Sequence, residues 1–495
     1  MVVAKATKAS NALISIARNT WGIGYNAAKN IYLGAIEPIL LYASPIWADA
    51  TSKVYIQRKL LKAQRVAALR ICRAYRTAPT AALLVITGIT PVHIKARMIH
   101  RNWNANNLFS NCHPLNNDKN KSILSDLPTH LKEDILSSGI ELKDIQLNIL
   151  QDYPFINSDS QSSNESDFSI YTDGSKDDIN VGAAFVLYDH HNGNIHRSAY
   201  KLGPHCSVPQ AEILAIVKAL DHVYADWFPP NKTIAIYSDS ITAIHSITNL
   251  KQRGANVLHI HHLLSINKHK HKHNISFNWV RGHSGVAGNE AADHLAKTAA
   301  TSSLPSTYNR IPLSKIKQWS RQLALQEWQN EWDGGDTGRV THNYIPNISH
   351  RLEWKHLTPS FIMTQLLTGH GNFNAYLNRF RLRESGVCHC DDTAIQDSNH
   401  YLLDCSLFDH QRNNLIGCVL YAGFNWPCSP DTLLENKDIY NSLKKFLTST
   451  AALCPRRNPH TTDNDEPSHR IDLRHIRFPP VFKYVHQQFR TLCSV

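Results

Sequence analysis

The periodicity of residues 168–300 constrains the fold of this chain more than any other feature. A short strand at 168–172, an apolar run of strand length at 181–188 and a third strand at 195–202 come first. A helical pattern follows at 208–224, with Ile213, Leu214, Val217 and Leu220 on one side. After it come a strand at 233–238, helices at 240–250 and 256–268, a strand at 275–280 and a last helix at 289–300. Three consecutive strands and then an alternation of helix and strand predict an α/β domain. Its sheet is mixed and five-stranded, with helices on the faces.

The acids of this stretch sit at telling places. Asp173 closes the first strand, in YTDGS. Glu212 rides the first helix, in PQAEILAI. Asp239 stands where a strand gives way to a helix, in IYSDS, and Asp293 lies in the first turns of the last helix, in GNEAADHLAK. Strand ends are where open α/β sheets put their sites, and Asp293 lies near a positive helix end. Singly, each has a plain structural reading, as a turn former or an N-cap.

Together, YTDGS, AEILAI, IYSDS and VRGHSGVAGNEAADHLAK resemble the type 1 ribonuclease H family across residues 165–302. The last motif is the most specific, since His283, Gly285, Gly288, Asn289, Glu290 and Asp293 keep the family's spacing. The resemblance is closest to the ribonuclease H domains of non-LTR, LINE-like retrotransposons of the I-element group. It implies endonucleolytic cleavage of the RNA strand of RNA–DNA hybrids. It also implies two Mg²⁺ ions, with Mn²⁺ as a substitute, since two ions about 4 Å apart can activate a water and stabilise the leaving oxygen. Asp173 would bridge both ions, Glu212 and Asp239 would share one, and Asp293 would hold the other. His283 matches a mobile histidine that assists proton transfer or product release. Gly174, Ser175, Gln210 and Asn289 are the expected substrate contacts, with Gln210 reaching the minor groove where 2′-hydroxyls mark RNA. Where the family often has polar residues, three and four positions before the glutamate, this chain has Pro209 and Val208. The basic protrusion of larger members shrinks here to Lys251 and Arg253. The rival reading is a catalytically dead remnant that only binds hybrid.

Charge divides the chain further. Its net +12 is uneven: residues 1–110 carry 15 Lys/Arg against Glu37 and Asp49 alone, and residues 111–164 carry 4 against 8 acids. A local basic block points to a polyanion partner. On a helical wheel over 55–76, Ile56, Leu60, Ala63, Ala67, Ile71 and Ala74 share one face. Arg58, Lys62, Arg65, Arg73 and Arg76 share the opposite one, with Leu69 intruding. No acid interleaves them, although soluble helices usually use Glu–Lys pairs. Arg58, Lys62 and Arg65 are therefore expected on a phosphate backbone, against a plain solvated face. The segment resembles the helical thumb that follows the palm of these elements' reverse transcriptases, through YLGAIEPILLYASPIW and KLLKAQRVAALRICRAYR. No Tyr/Phe-x-Asp-Asp motif is present, since the Asp-Asp pairs are 177–178 and 391–392. The chain thus reads as the C-terminal part of a longer polyprotein that lacks the polymerase site.

The expected organisation is a thumb-like segment at 1–110, a polar linker at 111–164, the α/β domain at 165–302 and a helical, Cys/His-bearing region at 303–495. Cys388, Cys390, His400 and Cys405 place four soft ligands within 18 residues, which suits tetrahedral zinc, the alternative being buried free cysteines. The histidines at 259, 261, 262, 269, 271 and 273 read as a solvated helix end. No apolar run is long enough for a membrane helix, and the N-terminus lacks a signal-peptide core. Ten scattered cysteines suit an intracellular, reducing compartment, for which the nucleus is the expectation.

Overall fold

A computed structural model describes residues 2–16, 23–108, 133–134, 137–141, 143–144, 156–157, 166–178, 180–248 and 253–453. They fall into two compact units: Arg101–Ser320, and Met1–His100 together with Arg321–Val495. Most of the expected linker, Lys251 and the 455–470 stretch lie outside the described residues.

In the second of these units, helix α1 (Val54–Ile71) buries Leu60, Ala63, Gln64, Ala67, Ala68 and Ile71. Gln64 is buried without penalty because it donates to the Tyr32 hydroxyl and the Thr90 carbonyl and accepts from the Val92 N–H. The helix stops short of the sequence wheel. Arg73 takes a left-handed φ of 54°, and the Ala74 N–H reaches back to the Leu69 carbonyl at 2.9 Å, which closes the helix end as a Schellman motif does. Helix α2 (Thr80–Thr87) follows and is almost wholly apolar and buried.

The Arg101–Ser320 unit is built on one sheet. Its strands are β1 (Ile156–Asn157), β2 (Phe168–Lys176), β3 (Val181–Asp189), β4 (Ile195–Leu202), β5 (Thr233–Ser238), β6 (Asn274–Trp279) and β7 (Ser306–Tyr308). Their order is β7-β4-β3-β2-β5-β6-β1. β2 pairs antiparallel with β3 and parallel with β5. The sheet is mixed, as expected, and its five-stranded centre is extended by the two short edge strands β1 and β7. Runs of two and three residues carry too little periodicity to stand out in a sequence.

Helices α3 (Val208–Val223), α4 (Ile241–Thr248), α5 (Ala255–His269) and α6 (Ala287–Thr301) belong to the same unit. Strand β3 is buried from Val181 to Leu187, as a strand covered on both faces must be, and this explains its unbroken apolar run. Close packing against it depends on Gly182. A Cβ there would lie 2.1 Å from the Ala296 carbonyl oxygen and 2.6 Å from the Ala300 nitrogen, both backbone atoms of α6.

The chain then returns to the unit of Met1–His100 and Arg321–Val495, where α7 (Asn374–Arg379) and α8 (Lys437–Ser449) lie. One apolar core joins Leu60 and Leu84 from the N-terminal helices to Tyr344, Leu366 and Tyr440. Buried polar bonds stitch the same seam: Arg351 Nε donates to the Ile86 carbonyl at 3.1 Å, and Thr364 Oγ1 to the Cys72 carbonyl at 2.7 Å. The two segments that flank the sheet in sequence are therefore parts of one body.

Gly182→Ala is expected to destabilise the sheet unit by about 1–3 kcal/mol, since the clash is with rigid backbone. Urea unfolding followed by circular dichroism checks this, and an unchanged midpoint would show that α6 can shift at little cost.

Candidate active site

Three chain segments bring carboxylates together. Asp173 lies in the middle of β2 and is 5% exposed. Helix α3 starts at a capping box in which Gln210 Oε1 accepts from the Ser207 N–H at 2.8 Å and from its hydroxyl at 3.0 Å. That start aims Glu212 at β2. Gly174 permits the contact, since a Cβ there would lie 2.5 Å from the Glu212 nitrogen. Asp239 follows β5, where its carbonyl accepts from Trp279 Nε1 at 3.0 Å. The neighbouring Gly282 leaves room for its carboxylate: a Cβ there would sit 2.8 Å from Asp239 Oδ2. One oxygen from each of Asp173, Glu212 and Asp239 lies within 4.8 Å of the others.

The electrostatics of this cluster are unfavourable as it stands. Glu212 is pushed up to about 9, first by burial and then by Asp173 and Asp239, against the pull of the Gly174 N–H. Asp173 is pushed up to about 7 by burial, then by Asp239 and Asp293, with Lys297 opposing. Glu212 Oε2 is buried and has no hydrogen-bond partner. A buried acceptor without a donor, among converging acids, fits a divalent cation bound through oxygen.

The remaining sequence-identified residues fall into two groups. Asp293 on α6 stands outside the three-acid cluster, and its carboxylate accepts from Lys297 Nζ at 2.6 Å. His283 is exposed on a loop with a left-handed φ of 51°. That loop is pinned where the Gly285 N–H donates to Glu290 Oε1 at 3.1 Å. Ser175 is half-buried. Gln210 departs from expectation: it is buried, and its amide donates to Glu141 Oε2 at 2.6 Å and the Arg310 carbonyl at 3.0 Å. With its carbonyl committed to the capping box, it has no free polar group for a minor groove. Gly174 is likewise buried against α3, and Asn289 is buried with Oδ1 making no hydrogen bond. Neither presents a surface to a polymer. Lys297 was missed by the sequence reading, although its i,i+4 spacing from Asp293 is a legible ion-pair signal. Gly282 was missed too, and nothing in a lone glycine announces the acid it makes room for.

In the other unit, Arg58 and Lys62 are exposed on α1. Arg65 is not free: it is half-buried and donates to Thr80 Oγ1 at 2.8 Å and the Arg76 carbonyl at 2.6 Å. Arg73 is turned toward the Ile23 carbonyl at 3.1 Å. Cys388, Cys390, His400 and Cys405 do converge, each with a ligand atom within 4.8 Å of the rest. Cys388 and Cys405 sulfurs are 3.6 Å apart, and Cys390 Sγ is 3.2 Å from His400 Nε2. The sulfur separation is that of two thiolates sharing one tetrahedral zinc at about 2.3 Å per bond. Of the other cluster, His261, His271 and His273 are buried, the last two packed on each other and on Tyr224. They pack into the core, whereas His259 and His262 are exposed as expected.

The unit is thus an α/β fold in which a mixed sheet brings acids together from two neighbouring strands and a crossing helix. Residues 165–301 match the family model described as RNase H, and this part of the chain is an RNase H domain. It is 33% identical over 136 residues to the retrovirus-related Pol polyprotein from type-1 retrotransposable element R1 of Bradysia coprophila, which covers 28% of this chain and 13% of that protein. The R1 Pol polyprotein of Popillia japonica is 33% identical over 124 residues, covering 25% of this chain and 48% of that protein. The chain thus spans less than half the length of either relative in what it matches. Among solved structures, LC11-RNase H1 in complex with RNA/DNA hybrid is similar at 19% identity and a TM-score of 0.23, over 27% of this chain and 96% of that one.

The raised carboxyls make a pH prediction. The folded domain holds protons that the unfolded chain releases, between the ordinary carboxylate range and about 9. Stability without divalent ions therefore falls as pH rises through that window. Melting in magnesium-free buffer at about pH 6 and about pH 9 should show the decline, and Glu212→Gln should flatten it. A melting temperature that rises with pH would contradict the crowding of these acids.

Proposed function

We propose that the Arg101–Ser320 unit hydrolyses the RNA strand of RNA–DNA hybrids, as part of a retrotransposon polyprotein of the type its relatives represent. The observation that carries this reading is the approach of Asp173, Glu212 and Asp239 to within 4.8 Å, with Glu212 Oε2 left without a donor. Divalent cations bound there would supply an activated water and charge stabilisation for the leaving oxygen. Asp173, Glu212 and Asp239 would hold them, and Asp293, ion-paired to Lys297, would offer the fourth carboxylate. The carboxylates of Asp173 and Glu212 lose their protons as cations bind, so affinity rises with pH toward about 9. His283 stands on an exposed loop and would serve to move a proton at the leaving group. Ser175 is the substrate contact at the end of β2.

The full chain is expected to cut a labelled hybrid with Mg²⁺ or Mn²⁺ and to spare duplex DNA. Asp239→Asn removes one ligand and little packing, and should lower the rate at least about a hundredfold while the melting temperature holds. If the parent binds hybrid and cuts nothing at any magnesium concentration, the domain is the dead remnant that the rival reading describes.

We also propose that Cys388, Cys390, His400 and Cys405 hold one structural zinc, since four soft donors are already gathered and no open coordination position is required. Metal analysis of the purified chain should find zinc at a ratio near one, and Cys390→Ser should release it and lower the melting temperature. A zinc-free native protein would return these cysteines to the role of core residues.

A further inference from the structure

The two units differ sharply in charge. The Arg101–Ser320 unit is neutral, with 20 Lys/Arg against 20 Asp/Glu, and the other unit holds the whole excess, 32 against 20. Within the basic unit, one patch combines exposed arginines with an exposed ring, Phe380, and a half-buried one, Tyr376. Tyr376 and Phe380 lie on and just after α7, with ring centroids 5.0 Å apart. Tyr376 also meets His370 at 5.1 Å and Tyr75 at 6.0 Å. Its hydroxyl bonds Thr77 Oγ1, which also lies 3.1 Å from His370 Nδ1. Thr77 follows Arg76, whose carbonyl is held by Arg65. The patch therefore runs without a break from the end of α1 to the turn after α7.

Its cations are unneutralised. None of the ion pairs among the described residues involves Arg76, Arg379 or Arg381, and Glu384 is the one acid in the run from Asn374 to Cys390. Burial, then the guanidiniums of Arg379 and Arg65, hold His370 below its ordinary value, as expected where positive charge collects. Phe380 is 44% exposed.

Helix α7 ends in a Schellman motif: the Leu382 N–H donates to the Leu377 carbonyl at 3.0 Å and the Arg381 N–H to the Asn378 carbonyl at 2.8 Å. Arg381 takes the left-handed position of that motif at a φ of 57°, as Arg73 does after α1, so the turn fixes where its exposed side chain leaves the surface.

We propose that this patch binds single-stranded polynucleotide, with bases stacking on Phe380 and Tyr376 and phosphates meeting Arg76, Arg379 and Arg381. Cations beside an exposed ring suit a polymer that carries both phosphates and flat bases. Duplex hides its base faces, so it can use the arginines but not the rings.

The test measures anisotropy of labelled oligo-U and oligo-dT of about 20 nucleotides, and of a duplex of equal length, with the full chain over a salt series. It needs no cleavage and is independent of the nuclease reading. Arg379→Gln with Arg381→Gln should weaken single-strand binding about tenfold and flatten the salt slope by about 1.4. Phe380→Ala should weaken single-strand binding about tenfold and duplex binding less than about twofold. Arg381→Gly should melt at the same or a higher temperature and still bind more weakly, which separates lost contact from lost fold. Unchanged affinity and salt slope in the double variant overturn the proposal. So does a Phe380→Ala variant that weakens duplex and single strand alike.

Discussion

The approach of helix α3 to strand β2 at Gly174 is the contact on which the candidate site depends. A hydrogen in place of a side chain lets the Glu212 backbone come down on β2, and the Gly174 N–H then serves the Glu212 carboxylate. Packing thus forces together groups that electrostatics would separate. Apolar burial along α3, through Leu214, Ile216, Val217 and Leu220, exceeds the cost of crowding, because protonation relieves much of the repulsion. The fold holds the acids at fixed places, and the state of charge adjusts. This is the arrangement a cation site requires, since a cluster that relaxed apart would have to be reassembled at every binding event.

The sequence showed the sheet and the acids because both carry strong local signals. Strand-length apolar runs and two helix–strand units identify the layers, and each acid sits inside a motif of fixed spacing. Tertiary partners were less legible. Gln210 reads as a polar residue beside a catalytic helix, yet Glu141 and Arg310, remote in sequence, take its amide. Arg65 reads as part of a free basic face, yet a turn and α2 claim its guanidinium. Arg73 lies on the continued wheel only if the helix continues, and a left-handed residue ends it. In each case the side chain's chemistry was read correctly and its partner was not. Long-range partners leave no period in the sequence.

The same limit applies to the flanking segments. Nothing in residues 1–100 announces that Leu60 and Leu84 share a core with Tyr344 and Tyr440. The apolar faces of amphipathic helices show that a partner exists, not which one. The Cys/His cluster was legible because its four donors lie inside one short loop-and-helix segment. A metal-sized cluster can thus be read from spacing where a core built from two distant segments cannot.

Charge distribution connects these levels. A hybrid is a polyanion, and association with it is driven largely by release of counterions from phosphates that basic side chains neutralise. The Arg101–Ser320 unit has no net charge to contribute, and its conspicuous local feature is a group of acids that repels phosphate until cations neutralise it. On the proposed reading, specific chemistry and general affinity would belong to different units of one chain: the sheet unit presents carboxylates, and the helical unit presents Arg76, Arg379 and Arg381 outside any ion pair among the described residues. Such a division relaxes a conflict that a single small domain would face. Basic residues close to the acids would compete with cations for the same carboxylates, as Lys297 already does with Asp293, and would weaken the site they were meant to serve. Among the described residues no ion pair takes up Asp173, Glu212 or Asp239, so a divalent ion would meet carboxylates without a side-chain counter-ion.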